Sequence, residues 1–172
     1  TGIILTGKQK TVDGSIWVEI NRPGGGSGWV NFNFLTQQVS SSTFCNDPQV
    51  TTLLGRLNTA VTTEDGELLS SLVSPRHGMT LHYLHSGTTP NYTPEEARWV
   101  FDSTYVTNWG THPASGLEVK GTFREEVLPK LVEVFSANYE LKCNEMAAGG
   151  LNYEIAWPFS YHNLNFYSVY KP

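Results

Sequence analysis

Apolar and polar residues alternate along the first part of the chain with the period of two that is typical of β-strands. From residue 15 the two faces consist of Ile16, Val18 and Ile20 on one side and Ser15, Trp17 and Glu19 on the other. Asp13-Gly14 precedes this run and predicts a tight hairpin turn, because Gly accepts a positive φ. Residues 24–26 are a Gly-rich turn. Residues 7–35 are therefore predicted to form three strands and a short terminal turn.

Helical periodicity replaces this alternation after Asp47-Pro48, a pair that suits a helix start because Asp can cap and Pro is tolerated in the first turn. The apolar face of the first helix contains Val50, Leu53, Leu54, Leu57, Ala60 and Val61. A second short helix contains Leu68, Leu69, Leu72 and Val73, and Ser74-Pro75 ends it.

Two capping-box patterns predict later helices, one from about 94 to 102 after Thr93 and one from 123 to 136 after Thr122. Pro129 predicts either a kink in the second helix or the start of another short one. Strands are predicted at 78–84, 105–109, 117–121, 139–145, 151–157 and 164–170.

The order of these elements predicts an α+β protein. Residues 1–36 form an N-terminal β segment, residues 37–46 form a polar linker, and residues 47–172 form an α+β domain. In that domain the helices come early and the later strands build a curved antiparallel sheet. The element order is similar to that of the cone-shaped folds of the nuclear transport factor 2-like superfamily, with no diagnostic motif behind the similarity.

The N-terminal segment resembles the second half of a bacterial SH3 (SH3b) domain. The residues that carry this resemblance are Asp13, Gly14, Trp17, Gly28, Trp29, Val30, Asn31 and Leu35. The resemblance implies a partial β-barrel, a place in the cell envelope, and a contact surface near Trp17, Trp29 and Phe34, with a purely structural core role as the alternative for Trp29. An ordinary hairpin stack is the alternative for the whole segment.

SH3b domains carry two further strands before this point. Three explanations are open: a longer precursor supplies those strands, the half-barrel packs against the second domain, or another chain supplies them. The third is possible because an open sheet edge invites pairing.

Composition narrows the class of protein. The net charge of −5, with no basic stripe, argues against nucleic acid and against an anionic membrane surface. No segment is long and apolar enough to cross a bilayer, so membrane insertion is not expected. Sparse charge, at 16% of residues, with abundant Gly, Ser, Thr, Asn and aromatic residues is typical of extracellular β-containing proteins.

Cys45 and Cys143 are the two cysteines of the chain. In an extracellular protein the simplest expectation is that they form a disulfide between the linker and the late sheet. The alternative is two buried free thiols in a cytosolic protein.

Candidate chemistry is sparse. His77, His82 and His85 lie close in sequence, but residues three apart on a strand point to opposite faces, so no metal site is predicted. Helix capping explains Glu95 and Glu96. Asp102 and His112 are the weak candidates for a catalytic pair, because they flank a predicted strand.

Late aromatic residues are candidates for stacking on sugar rings, with core packing as the more common role. They are Trp99, Trp109, Trp157, Phe159, Tyr161, Phe166, Tyr167 and Tyr170. No nucleophile elbow, phosphate loop, dinucleotide fingerprint or zinc signature occurs, and no cofactor is predicted.

These patterns predict a secreted, non-enzymatic bacterial protein of the cell surface that binds cell-wall polysaccharide or another envelope protein. The first alternative is an extracellular structural subunit that self-associates through open β edges. The second is a small-molecule enzyme with a cone-shaped pocket, which requires Asp102 and His112 to lie within hydrogen-bonding reach.

Overall fold

The computed structural model describes residues 2–84, 86–145 and 165–171. Its described residues fall into two compact units, residues 2–40 and residues 41–145 with 165–171. Both α-helices and antiparallel strands are present, which confirms the predicted α+β class.

The first unit is a three-stranded antiparallel sheet of order β1-β2-β3. Its strands are β1 (Ile4–Val12), β2 (Ser15–Asn21) and β3 (Ser27–Asn31), and a 3-10 turn follows at Phe32–Phe34. The predicted succession of strands and turns is therefore confirmed. The sheet is open within the described residues rather than closed into a barrel.

The turn at Asp13-Gly14 sets the register of this sheet. Both residues have positive φ, 49° and 74°, which is the backbone of a two-residue type I′ hairpin. The turn pairs Val12 with Ser15 across β1 and β2. As the alternation predicts, Val18 and Ile20 share a buried face, and only 7% and 8% of their surface is exposed.

The second unit combines six helices and six short strands among its described residues. The helices are α1 (Ser41–Cys45), α2 (Pro48–Thr62), α3 (Gly66–Leu72), α4 (Pro94–Arg98), α5 (Phe123–Glu126) and α6 (Leu128–Phe135). The strands are β4 (Met79–Thr80), β5 (Asn91–Tyr92), β6 (Thr107–Thr111), β7 (Glu118–Gly121), β8 (Glu140–Cys143) and β9 (Tyr167–Tyr170). No described helix has both the length and the apolar character needed to cross a membrane.

The strands of the second unit pair as β4-β5, β6-β7 and β8-β9, where the sequence predicted one curved sheet. The predicted strand at 78–84 pairs over two residues only. Leu81 donates its N–H to the carbonyl of Pro90, but Pro90 has no N–H with which to continue the ladder. The predicted strand at 151–157 lies outside the described residues.

The helix starts follow the predicted capping chemistry. The Asp47 side chain accepts a hydrogen bond from the Gln49 N–H at the start of α2. Reciprocal capping boxes are present at Thr93 before α4 and at Thr122 before α5. Pro129 lies in the first turn of α6, so the second of its two predicted roles, the start of a separate short helix, is the one observed.

One apolar core holds the helices of the second unit together. Its buried members are Ala60, Val61, Leu69, Val73, Ala97, Val100, Phe101, Trp109, Phe123, Val127, Leu128 and Phe135. Trp109 is fully buried, and its Nε1–H donates to the Gly121 carbonyl at 3.0 Å. This candidate for sugar stacking is therefore a core residue.

The disulfide between Cys45 and Cys143 is present, as predicted. It joins α1, in the segment that the sequence assigned to a linker, to β8. The Tyr167 hydroxyl of β9 donates to the Cys45 carbonyl at 2.9 Å, and the rings of Phe44 and Tyr167 lie 5.4 Å apart. The disulfide, one hydrogen bond and one ring contact thus fasten α1 to the β8-β9 pair.

The segment before β5 crosses β6 at unusually close range. The Thr88 N–H donates to the Asn108 carbonyl at 2.8 Å. A Cβ atom at Gly87 would lie 2.0 Å from the carbonyl oxygen of Trp109. Because any side chain would overlap this backbone, only glycine permits the crossing.

Gly87→Ala is expected to lower the free energy of unfolding of the second unit by about 2 kcal/mol or more, because two backbone segments must separate. Gly55 lies inside α2, and a Cβ atom added there would have no neighbouring atom within 4 Å. Gly55→Ala is therefore expected to raise the free energy of unfolding by about 0.5–1 kcal/mol. Urea denaturation of both variants measures the difference. Effects of the same sign would contradict the close crossing.

Cys45→Ala combined with Cys143→Ala is expected to lower the free energy of unfolding by about 4 kcal/mol, because the cysteines are 98 residues apart and the open chain gains entropy. Denaturant titration with and without a phosphine reductant measures this loss. Reductant should destabilise the wild type equally and leave the double variant unchanged. A wild-type loss below about 1 kcal/mol would contradict the stabilising role of the bridge.

Candidate functional site

Four side chains of the N-terminal sheet form what we call the tryptophan face: Lys10, Trp17, Glu19 and Trp29. The register pairs Lys10 with Trp17 across β1 and β2, and Glu19 with Trp29 across β2 and β3. Directly opposed residues of an antiparallel pair project from the same side of a sheet, and so do alternate residues of one strand. All four therefore lie on the side opposite Val18 and Ile20.

The exposed part of this face combines an aromatic ring with a positive charge. The Lys10 ammonium lies 4.2 Å from the centre of the Trp29 ring, within the range of a cation–π contact. Trp29 is 38% exposed, whereas Trp17 is half-buried. Trp29 thus offers solvent an aromatic surface, and no carboxylate of the described residues forms an ion pair with Lys10.

Glu19 provides a fixed negative charge beside the two rings. The hydroxyls of Thr6 and Ser27 donate to its carboxylate at 2.8 and 3.0 Å, and the Lys8 ammonium lies 3.2 Å away. These contacts hold the pKa of Glu19 below its ordinary value, and the hydrogen bond from Thr6 has the largest effect. The carboxylate therefore pairs with Lys8 and leaves Lys10 for other contacts.

The three residues predicted to bind are only partly brought together. Trp17 and Trp29 share the tryptophan face. Phe34 lies on the 3-10 turn after β3 and is 83% exposed. Trp29 is exposed rather than packed in a core, so the structural alternative considered for it does not describe its surroundings.

Sequence reasoning placed Glu19 on the same face as Trp17 but gave it no role. It missed Lys10 as a member of this face, although a signal for Lys10 was present. Asp13-Gly14 predicts a two-residue hairpin, and such a turn specifies every pair along both strands. Counting back from the turn places Lys10 opposite Trp17. The contact between Glu19 and Thr6 lacked such a signal, because Thr6 lies between Leu5 and Gln9, where the register of β1 shifts.

Asp102 and His112 have other partners, and no hydrogen bond or ion pair joins them. The Asp102 carboxylate is 75% exposed and lies 3.6 Å from the Arg124 guanidinium. His112 Nδ1 accepts from the backbone N–H groups of Ala114 and Ser115 in its own turn. Neither group is placed to orient or activate the other.

The clustered histidines and the late aromatic residues named in the sequence analysis do not lie on the tryptophan face. His82 Nδ1 lies 3.3 Å from the Thr89 hydroxyl, and His85 lies outside the described residues. Across the described ranges, no three His, Cys, Asp or Glu side chains lie close enough to hold a metal ion. Trp157, Phe159 and Tyr161 also fall outside the described residues, whereas Phe166, Tyr167 and Tyr170 are half-buried in or beside β9.

The chain has no significant match among protein-family models, curated protein sequences or solved structures.

Thr6→Val is expected to raise the pKa of Glu19 towards its ordinary value, because the largest contribution to the lowering is removed. Thr11→Val is the matched control, since Thr11 pairs with Ile16 on the opposite face. Carbon-13 NMR of the Glu19 carboxyl measures both titrations. Equal titration of the wild type and Thr6→Val would contradict the assignment.

The same lowered pKa predicts the direction of a pH effect on the sheet. An ionised Glu19 stabilises the folded sheet above the ordinary carboxyl pKa, and that stabilisation is lost as the pH falls through the folded-state pKa. The protection factors of the β2 amides, which correct for the intrinsic slowing of exchange at lower pH, should therefore fall on acidification less in Glu19→Gln than in the wild type. An identical fall in both proteins would contradict this linkage.

Proposed function

We propose that this protein is a secreted, non-enzymatic component of the bacterial cell envelope whose N-terminal unit holds cell-wall polysaccharide. In this proposal residues 7–35 are the second half of an SH3b-like barrel. In the same proposal the second unit acts as an interaction or ligand-holding module.

The observation that carries the proposal is the exposed Trp29 ring with the Lys10 ammonium over it. An aromatic ring of this kind can stack on the apolar face of a sugar, and the ammonium can bind hydroxyls or carboxylates along a polysaccharide. Residues 1–40 contain three basic and two acidic side chains, although the whole chain has a net charge of −5. The local excess of positive charge favours an acidic wall polymer.

The disulfide supports the proposed location. A bridge between Cys45 and Cys143 is consistent with an extracellular environment, because cytosolic thiols are kept reduced. This observation favours the cell surface without naming the organism or the ligand.

Self-assembly through β edges is the second candidate. Every residue of β1 is exposed, and the outer edge of β1 has no strand partner within the described residues. An open edge can pair with a strand of another copy. Lys8 and Lys10 lie on this strand, and charged residues oppose such pairing, so we place self-assembly second.

Trp29→Ala is expected to weaken binding to purified bacterial cell walls by roughly tenfold or more, because an exposed aromatic anchor is lost. Lys10→Gln is expected to weaken it less and to reduce its dependence on salt. Cosedimentation of the full chain with cell walls measures both effects. Leu117→Ala, which removes an exposed apolar side chain from the second unit, is the control and should bind as the wild type does.

A chain that does not pellet with walls would contradict the wall-binding proposal. A chain that pellets without walls would favour self-assembly, and Trp29→Ala should then leave the pelleting unchanged. A chain held by walls only until their proteins are digested would identify an envelope protein as the partner.

A further inference from the structure

A cleft of about 560 Å³ lies within the second unit beside α4. Its volume is within the range of about 300–1,000 Å³ that is usual for small-molecule sites. Half of its lining residues are aromatic or acidic, namely Tyr92, Glu95, Glu96, Trp99, Tyr105 and Phe123. The cleft is separate from the tryptophan face, since none of its lining residues belongs to the N-terminal unit.

The aromatic walls of the cleft are open to solvent, but its floor is packed. Trp99 is 57% exposed and Tyr105 is 76% exposed, whereas Phe123 is 5% exposed. The ring of Phe123 meets Tyr92 edge-on, with centroids 6.4 Å apart and planes at 87°. The floor is thus fixed by core packing, and two large rings remain available to a ligand.

The indole of Trp99 is positioned by its own helix. Its Nε1–H donates to the Glu95 carboxylate at 3.1 Å. Because this bond satisfies the polar atom of the indole, the remaining exposed surface of Trp99 is an aromatic ring whose π face attracts positive charge.

Two carboxylates make the cleft negative. Glu96 accepts hydrogen bonds from the backbone N–H and the hydroxyl of Thr93. Both bonds lower the pKa of Glu96, and the backbone bond has the larger effect. Glu96 therefore stays ionised over a wide pH range. The guanidinium of Arg98 lies 3.3 Å from the Glu95 carboxylate and partly neutralises its charge. No Lys, Arg or His of the described residues lines the cleft.

We propose that this cleft binds a small organic cation, an alkylammonium or quaternary ammonium group, between Trp99, Tyr105 and Glu96. Aromatic faces attract such cations, and a nearby carboxylate adds a Coulombic attraction that an uncharged ligand does not receive. The same carboxylates repel anions. A bare metal ion does not suit the site, because no group of three His, Cys, Asp or Glu ligands occurs among the described residues.

Choline and its uncharged isostere 3,3-dimethylbutan-1-ol test this proposal in the full chain. Choline is expected to shift the NMR signal of the Trp99 indole N–H and to bind at least about fivefold more tightly than the isostere. Glu96→Gln is expected to weaken choline binding severalfold without unfolding α4, because Gln also completes a capping box. Trp99→Ala should weaken it about tenfold, and Trp99→Phe should retain most of it.

Leu117→Ala is the control, since it removes an exposed side chain of the second unit that does not line the cleft and should bind choline as the wild type does. Thermal melts of all variants separate loss of the site from loss of the fold. Equal binding of choline and the isostere, preferential binding of glucose or N-acetylglucosamine, or no Trp99 shift with choline would each overturn the proposal.

Vesicles of phosphatidylcholine then distinguish the two sources of a quaternary ammonium group. Flotation of the wild type with vesicles, blocked by free choline and lost in Trp99→Ala, supports the cation site and assigns a lipid headgroup. Binding of free choline without flotation supports the site and assigns a soluble cation. Flotation that Trp99→Ala does not change would overturn the assignment of headgroup binding to this cleft.

Discussion

The indole of Trp109 is the largest fully buried side chain among the described residues, and much of the second unit is arranged around it. Its N–H donates to the Gly121 carbonyl, so the only polar atom of its side chain is satisfied inside the core. Tyr83 meets the ring edge-on with centroids 6.1 Å apart. The Trp109 carbonyl in turn faces Gly87 so closely that no side chain fits there. Burial of one residue thus connects β6, β7 and the segment before β5.

The disulfide acts on a different part of the same unit. It fastens the short helix α1 to β8, and the contact between Phe44 and Tyr167 extends this attachment to β9. A helix of five residues has little stability of its own. The covalent link and the aromatic contact therefore explain how α1 persists without a buried residue of its own.

The two candidate sites have opposite electrostatic character. On the tryptophan face, Lys10 lies over an exposed ring while Glu19 is occupied by hydroxyls and Lys8. In the cleft beside α4, exposed rings lie next to carboxylates, and no basic residue lines the walls among the described residues. One acidic protein therefore carries two aromatic surfaces that differ in the sign of the charge beside their exposed rings.

Local chemistry in the sequence determined the elements of this protein: the Asp13-Gly14 hairpin, the alternating faces of β2 and the two capping boxes each depend on residues near one another in the chain. The sequence predicted the pairing of Cys45 with Cys143 from two lone cysteines in a protein of extracellular composition, and the structure decided against two free thiols. Tertiary structure decided the rest. Trp99 and Trp109 were grouped as candidates for sugar stacking, yet one lines a cleft and the other fills the core, because burial depends on which distant segments pack nearby. The strands predicted as one curved sheet pair two by two among the described residues, because strand pairing depends on distant partners that a local pattern does not identify.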